Sequence, residues 1–120
     1  MYKIRTDTLK NRLYVTLVGF FSLEEMRKCG DETIAATDKL RPGYDVVTDI
    51  TQFKPGTPEV AEDIKRVQAH FHTSGARQGV RVVGGNAISG MQFRRTGSAA
   101  DYQSVNVATL EEAEKLLDGL

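Results

Sequence analysis

The sequence predicts an α/β fold with a mostly parallel sheet opened by an antiparallel hairpin, in the order β-β-α-β-α-β-α-β-α. Three observations carry that prediction. Short apolar segments with strand-like patterning alternate with stretches of helical periodicity, and several helix starts carry cap signatures. The third is size: 120 residues, 40% hydrophobic and 27% charged, can bury one core without disulfides or a metal. Strands separated by helices of adequate length run parallel with right-handed crossovers, which places the helices on the sheet faces. No repeat, low-complexity tract or linker divides the chain, so residues 1–120 read as one domain.

The elements follow in order. Tyr2 and Ile4 alternate with polar neighbours, and Leu13, Val15 and Leu17 do the same after a turn-like stretch at Asp7–Asn11. Period-two patterning across a short polar connection reads as a hairpin. Ser22 and Glu25 then form a capping-box pattern, with Phe21 and Met26 positioned as its hydrophobic staple. At ~100° per residue, Leu23, Met26, Gly30, Thr33, Ile34, Thr37 and Leu40 share one helix face whose small central residues suit close packing. Pro42-Gly43 ends that helix. Tyr44–Asp49, centred on Val46 and Val47, reads as a short buried strand.

Lys54-Pro55-Gly56 makes a loop, and Thr57-Pro58-Glu59 reads as N-cap, first-turn proline and first-turn acid. Val60, Ile64, Val67 and Phe71 give the second helix a clean stripe, stopped at Gly75. Val80, Val82 and Val83 form the next strand, closed by Gly84-Gly85-Asn86. A weaker helix spans roughly Ala87–Arg95, with Ile88 and Met91 expected inward. Gln103–Val107 is the last expected strand. Thr109 and Glu112 repeat the capping box before Ala113, Leu116, Leu117 and Leu120.

Composition and motifs narrow the chemistry. Sixteen Lys+Arg balance sixteen Asp+Glu, which argues against nucleic-acid binding driven by phosphate neutralisation. Arg94-Arg95, Arg77, Arg81 and Lys65-Arg66 are scattered cations, expected to be solvated or to face a partner. The one cysteine, Cys29, cannot form an internal disulfide, which favours a reducing, cytoplasmic setting. No apolar run resembles a signal peptide or approaches a membrane span. His70 and His72 diverge by ~200° on a helix, so they do not make the i,i+4 pair of a helical zinc site. No metal site is expected. Gly85–Gly90 has the skeleton of a P-loop but continues Met91-Gln92 where Lys and Ser or Thr are required. Neither that segment nor Gly84-Gly85 predicts a cofactor. Cys29 lies at the inward border of its helix and reads as a small core residue, so no catalytic set is assembled.

Open α/β sheets place their contact surface at the carboxyl ends of the strands. There the sequence gathers Phe20, Phe21, Asp49, Thr51, Phe53 and Thr57, taken as the candidate partner-binding rim. Thr57 begins a helix, where a phosphate is stabilised. Exposed Phe20 or Phe21 would also make a homodimer plausible.

This order of elements, with Val46-Val47-Thr48-Asp49-Ile50 leading into a loop and a capped helix, resembles the SpoIIAA-like, or STAS, domains. The C-terminal Thr109–Leu117 segment looks like the ending of small stand-alone SpoIIAA-like proteins. The resemblance implies a regulatory module akin to the anti-sigma-factor antagonists. In these a hydrophobic strand ends in Asp, and a Ser or Thr at the next helix start is phosphorylated by a kinase-type anti-sigma factor. Asp49 matches the strand-end acid. The Asp-Ser-Ser-Gly run of the antagonists is absent, and Gly56-Thr57-Pro58-Glu59 stands in its place. The resemblance therefore implies a relative without the standard phosphorylatable serine, with Thr57 as the candidate hydroxyl. The expectation is a non-enzymatic module with a protein partner. The alternative is a protein that binds a small apolar or acyl ligand between the sheet and the weak helix around Ile88–Phe93. An enzyme using Asp49, Glu24 and Glu25 as acid–base groups ranks third.

Overall fold

Alternation in the first twenty residues becomes an antiparallel pair in the computed structural model, which describes residues 1–120. Strand β1 (Tyr2–Asp7) pairs with β2 (Arg12–Gly19) from Tyr2↔Leu17 to Asp7↔Arg12. Asn11 makes the turn at φ 55°, a left-handed conformation asparagine tolerates better than most residues. Its side chain also clasps the backbone of Arg41, accepting from the amide at 2.9 Å and donating to the carbonyl at 3.1 Å.

The remaining elements are α1 (Leu23–Thr37), β3 (Asp45–Phe53), α2 (Pro58–Thr73), β4 (Gln78–Val82), α3 (Ala87–Ala99), β5 (Ser104–Val107) and α4 (Leu110–Asp118). The sheet order is β1-β2-β3-β4-β5, parallel from β2 onward. The predicted element order and mixed sheet are thus both present. Three element boundaries differ from expectation by more than two residues. Helix α1 stops at Thr37 rather than running to Pro42, α3 continues past Arg95 to Ala99, and β3 continues past Asp49 to Phe53.

Strand alternation divides the core in two. On one face Leu13, Val15, Leu17, Val46 and Ile50 meet Met26, Cys29, Val60, Ile64, Phe71 and Phe93 from α1, α2 and α3. Gly30 permits the close approach of α1 to α2, because a Cβ there would collide with the Asp63–Arg66 ion pair. On the other face Tyr14, Val47, Val80 and Val82 are covered by Ala113 and Leu117 of α4.

The cap signatures are realised with a variation. Ser22 Oγ accepts from the Glu25 amide at 3.1 Å, and Thr109 Oγ1 from the Glu112 amide at 3.1 Å. The reciprocal carboxylates reach elsewhere: Glu25 pairs with the Met1 amino group, and Glu112 accepts from the Ala108 amide.

Helix α4 is also fixed by charge. Arg12, 3% exposed, donates to Glu114 at 3.0 Å and to Asp118 at 3.1 Å, and Tyr14 donates to the same Glu114 oxygen at 2.6 Å. Removing one partner of a buried ion pair leaves the other uncompensated. Urea denaturation of Glu114→Ala should therefore show a loss of about 2–3 kcal/mol, below the full buried-pair range because Glu114 is partly solvated. The guanidinium of Arg12 holds the Asp118 carboxyl below its ordinary pKa. A depressed folded-state pKa stabilises above the unfolded value, and the benefit is lost as pH falls through the folded one. Asp118→Asn should therefore flatten the acid side of the stability profile below about pH 4.

Candidate functional site

The carboxyl end of the sheet is organised by an aromatic row. Tyr2, Phe21, Phe53 and Phe93 follow one another with ring centroids 6.4, 5.6 and 5.5 Å apart. Phe21 and Phe53 are buried, which corrects their expected place on the contact rim. Both are core residues, and of the three phenylalanines only Phe20 faces solvent, at 60% exposure.

The extra length of β3 accounts for much of this. Between the pairs Thr16↔Asp49 and Val18↔Gln52, β3 advances three residues while β2 advances two. Such a bulge shifts the facing of all later side chains, and it accompanies the inward turn of Phe53. Asp49 is therefore not a strand-end acid. It sits within β3, where its Oδ1 accepts from the Thr51 amide at 3.0 Å and from Thr51 Oγ1 at 2.8 Å. It opens with Lys3, Arg5, Tyr14 and Leu110 on the α4 side of the sheet, whereas Thr57 begins α2 on the opposite side. The expected rim is divided between the two faces.

Thr57 is exposed, and its Oγ1 accepts from the Val60 amide at 3.4 Å, as expected of an N-cap. Its loop is gripped from both flanks. The Lys54 amide donates to the Gly19 carbonyl at 3.0 Å, tying the loop to the turn that carries Phe20. On the other side Gln92 of α3 forms a reciprocal pair with Gly56, donating to its carbonyl and accepting from its amide, both at 3.0 Å. Asn86 donates to the carbonyls of Ile50 and Phe53 at 2.8 and 2.7 Å and caps α3 through the Ser89 amide. Ser89 Oγ donates to Phe53 as well. Gly56 is needed in this arrangement, since a Cβ would overlap the Val60 side chain. Sequence reasoning missed Asn86, Ser89 and Gln92. The signal available was Asn86 itself, a cap residue directly after a strand-closing Gly-Gly.

The third helix is rotated from its expected setting. Ile88 and Met91, predicted inward, are 70% and 62% exposed, while Ser89, Gly90, Phe93, Thr96 and Gly97 are buried. Close packing is the cause: a Cβ at Gly97 would strike the Tyr102 carbonyl, and one at Gly90 would press on Val83. Ile88 and Met91 thus join Phe20 as exposed apolar side chains on the segments that hold the Thr57 loop.

The remaining chemistry-bearing residues are dispersed. Burial pushes the Cys29 thiol up to about 12, which leaves almost no thiolate at neutral pH. His70 Nε2 lies 2.8 Å from Thr37 Oγ1; that hydroxyl donates to the Ile34 carbonyl, so the ring nitrogen is its donor. His72 is exposed at the end of α2. Among the cations, Arg77 pairs with buried Asp45. Arg81, expected at the surface, is only 3% exposed. An apolar cavity of about 50 Å³ lies between the sheet and the three helices, bounded by Cys29, Ile64, Phe71, Phe93 and Gln68. Gln68 Nε2 donates to the Phe93 carbonyl at 3.1 Å, and its buried Oε1 has no partner. No helix is long and apolar enough to cross a membrane.

No protein-family model and no curated protein matches the sequence. Solved structures do match in fold. One is the anti-sigma factor antagonist SpoIIAA in its unphosphorylated form, 10% identical with a TM-score of 0.62, covering all of both chains. Another is an uncharacterised DUF3478-family protein with a SpoIIAA-like fold from Shewanella loihica PV-4. It is 14% identical, with a TM-score of 0.71 over 97% of this chain and 93% of that one. The fold is therefore SpoIIAA-like, as the resemblance implied.

The grip on the Thr57 loop can be measured. Asn86→Ala should cost about 2 kcal/mol through its cap and two carbonyl contacts. Gln92→Ala should cost about 1 kcal/mol and speed hydrogen exchange at the Gly56 amide roughly tenfold, while amides in β3 keep their protection.

Proposed function

We propose that this protein is a non-enzymatic regulatory module that engages a protein partner through the Thr57 end of the sheet. The single observation that carries the reading is one exposed, anchored loop flanked by three exposed apolar side chains, Phe20, Ile88 and Met91. Scattered surface hydrophobics need no explanation. These three belong to the two segments hydrogen-bonded to the same loop, and aromatic and methionine side chains are enriched at protein interfaces. Thr57 and Thr51 supply polar contacts at the edge. Asp49, facing the α4 side, contributes by shaping Thr51. The likeness to an anti-sigma factor antagonist supports a kinase-type anti-sigma factor as the partner class, with Thr57 as the hydroxyl to be modified. Phosphate on Thr57 would favour the α2 N-terminus while placing charge beside apolar contacts.

The test begins with affinity co-purification to identify the partner, followed by direct titration. Phe20→Ala, Met91→Ala and Thr57→Glu should each weaken binding about tenfold, or about 1.4 kcal/mol; Tm should hold in the first two and fall slightly in Thr57→Glu, which loses the α2 cap. Leu9→Ala, at the exposed hairpin turn, should leave binding unchanged. Equal affinity in all four variants would remove this surface from consideration. Sedimentation of the free protein distinguishes a homodimer through Phe20, which Phe20→Ala would dissociate.

A second reading, a small apolar or acyl ligand, is favoured by the cavity beneath Phe93. At about 50 Å³ it admits an acyl chain only if α3 moves outward. Native mass spectrometry of freshly purified protein should then reveal an added mass, and Phe93→Ala should increase its occupancy. Bare protein in both samples rejects this reading.

A further inference from the structure

Two arginines are buried, Arg12 and Arg81, and the carboxylate-paired arginines are buried Arg12 and exposed Arg66 and Arg77. Arg12 is held by Glu114 and Asp118, Arg66 by Asp31 and Asp63, and Arg77 by Asp45. Arg81, as buried as Arg12, has no carboxylate. Its protein hydrogen bond runs from Nη1 to Asn106 Oδ1 at 3.2 Å, and its guanidinium lies 5.7 Å from the centroid of Phe93. A guanidinium carries five N–H donors; most of those on Arg81 have no protein acceptor and open onto the cleft beside it rather than being sealed from solvent. A charge taken from water is costly unless paired, and one neutral amide does not balance it. Burial lowers the Arg81 pKa; the Tyr102 phenol acts against that shift and Arg94 adds to it.

Arg81 reaches a cleft of about 250 Å³ between α3 and the start of β5, lined by Arg81, Arg94, Ser98, Tyr102, Gln103 and Ser104. This lining holds two cations, three hydroxyls and one amide, with no acid among them. Gly79 is required for its shape, because a Cβ there would overlap the Tyr102 phenol and crowd Ser104. We propose that this cleft binds the phosphate group of a small molecule, with Arg81 and Arg94 as counter-charges and the Ser98 and Ser104 hydroxyls as further donors. A phosphate dianion balances both guanidinia and suits their planar donor geometry. A single carboxylate would leave one positive charge uncompensated. The volume exceeds the roughly 30 Å³ share of one water several-fold, which leaves room for an organic group beside the phosphate.

The experiment titrates labelled protein with inorganic phosphate, phenyl phosphate, acetate or sodium chloride at matched ionic strength, read by amide chemical shifts. Saturable shifts at Ser98, Gln103 and Ser104 are expected with both phosphates, tighter for the ester, and not with chloride or acetate. Arg94→Ala, a surface change, should weaken phosphate at least tenfold. Arg81→Met should abolish the response and raise the Tm of the free protein, because an unpaired buried charge is removed; an arginine serving only packing would lower it. Acetate binding as tightly as phosphate, or phosphate binding unchanged in Arg94→Ala, overturns the proposal. Co-sedimentation with phosphatidic-acid vesicles without any response to the soluble phosphates also overturns it, in favour of a membrane surface.

Discussion

The contact of Phe21 with Phe53, and of Phe53 with Phe93, is the constraint on which the carboxyl end of this molecule depends. The three rings come from the turn after β2, the end of β3 and the middle of α3. Burying each removes a large apolar surface from water, and their meeting fixes where those segments lie. Once Phe21 is turned inward, its neighbour Phe20 is left outside. Once Phe53 is turned inward, the following Lys54–Thr57 loop leaves the sheet where Gly19 and Gln92 can hold it. The exposed end of the molecule is thus a by-product of its core.

Much of this architecture was legible in the sequence, because hairpin alternation and helix caps are local signals. Ser22, Thr57 and Thr109 each cap the helix they were expected to cap. The errors arose where tertiary packing overrode local pattern. Ile88 and Met91 are the large apolar residues near the start of α3, so a periodicity argument turns them inward. Yet the buried side of α3 consists mainly of small residues, because Tyr102 and Val83 lie too close for larger ones. Asp49 differs for another reason: β3 runs on to Phe53, so the strand end that the sequence puts at Asp49 lies four residues further. The one-residue bulge past Asp49 is invisible to alternation counting, and it decides the face of the later residues, Phe53 among them.

The distribution of charge was the least legible feature. A balanced count of sixteen against sixteen suggests cations and anions dispersed in solvent, but the fold draws several of them inside. Arg12 anchors α4 to the sheet through two acids about a hundred residues away. Asp45 and Asp63 are likewise buried and likewise paired. Against that pattern Arg81 is the exception. Its strand context, between Val80 and Val82, foretold burial on alternation grounds no better than exposure, since both faces of β4 are covered.

Helix α3 links the two surfaces of interest. Its first turns supply Asn86, Ser89 and Gln92, which hold the Thr57 loop, and also the exposed Ile88 and Met91. Its later turns supply Arg94 and Ser98 to the arginine-lined cleft. Phe93, midway, closes the aromatic row, borders the apolar cavity and lies beside the Arg81 guanidinium. A displacement of this helix would therefore alter loop, cavity and cleft together. The helix buries few large apolar side chains, and one of its attachments to α2 is a single glutamine amide on the Phe93 carbonyl. Elements with so little apolar anchoring open at lower free energy than the core around them. Weak local packing and participation in several surfaces thus coincide in one helix; were a ligand at one surface to favour a position of α3, its effect on affinity at another would be matched by an equal effect in return.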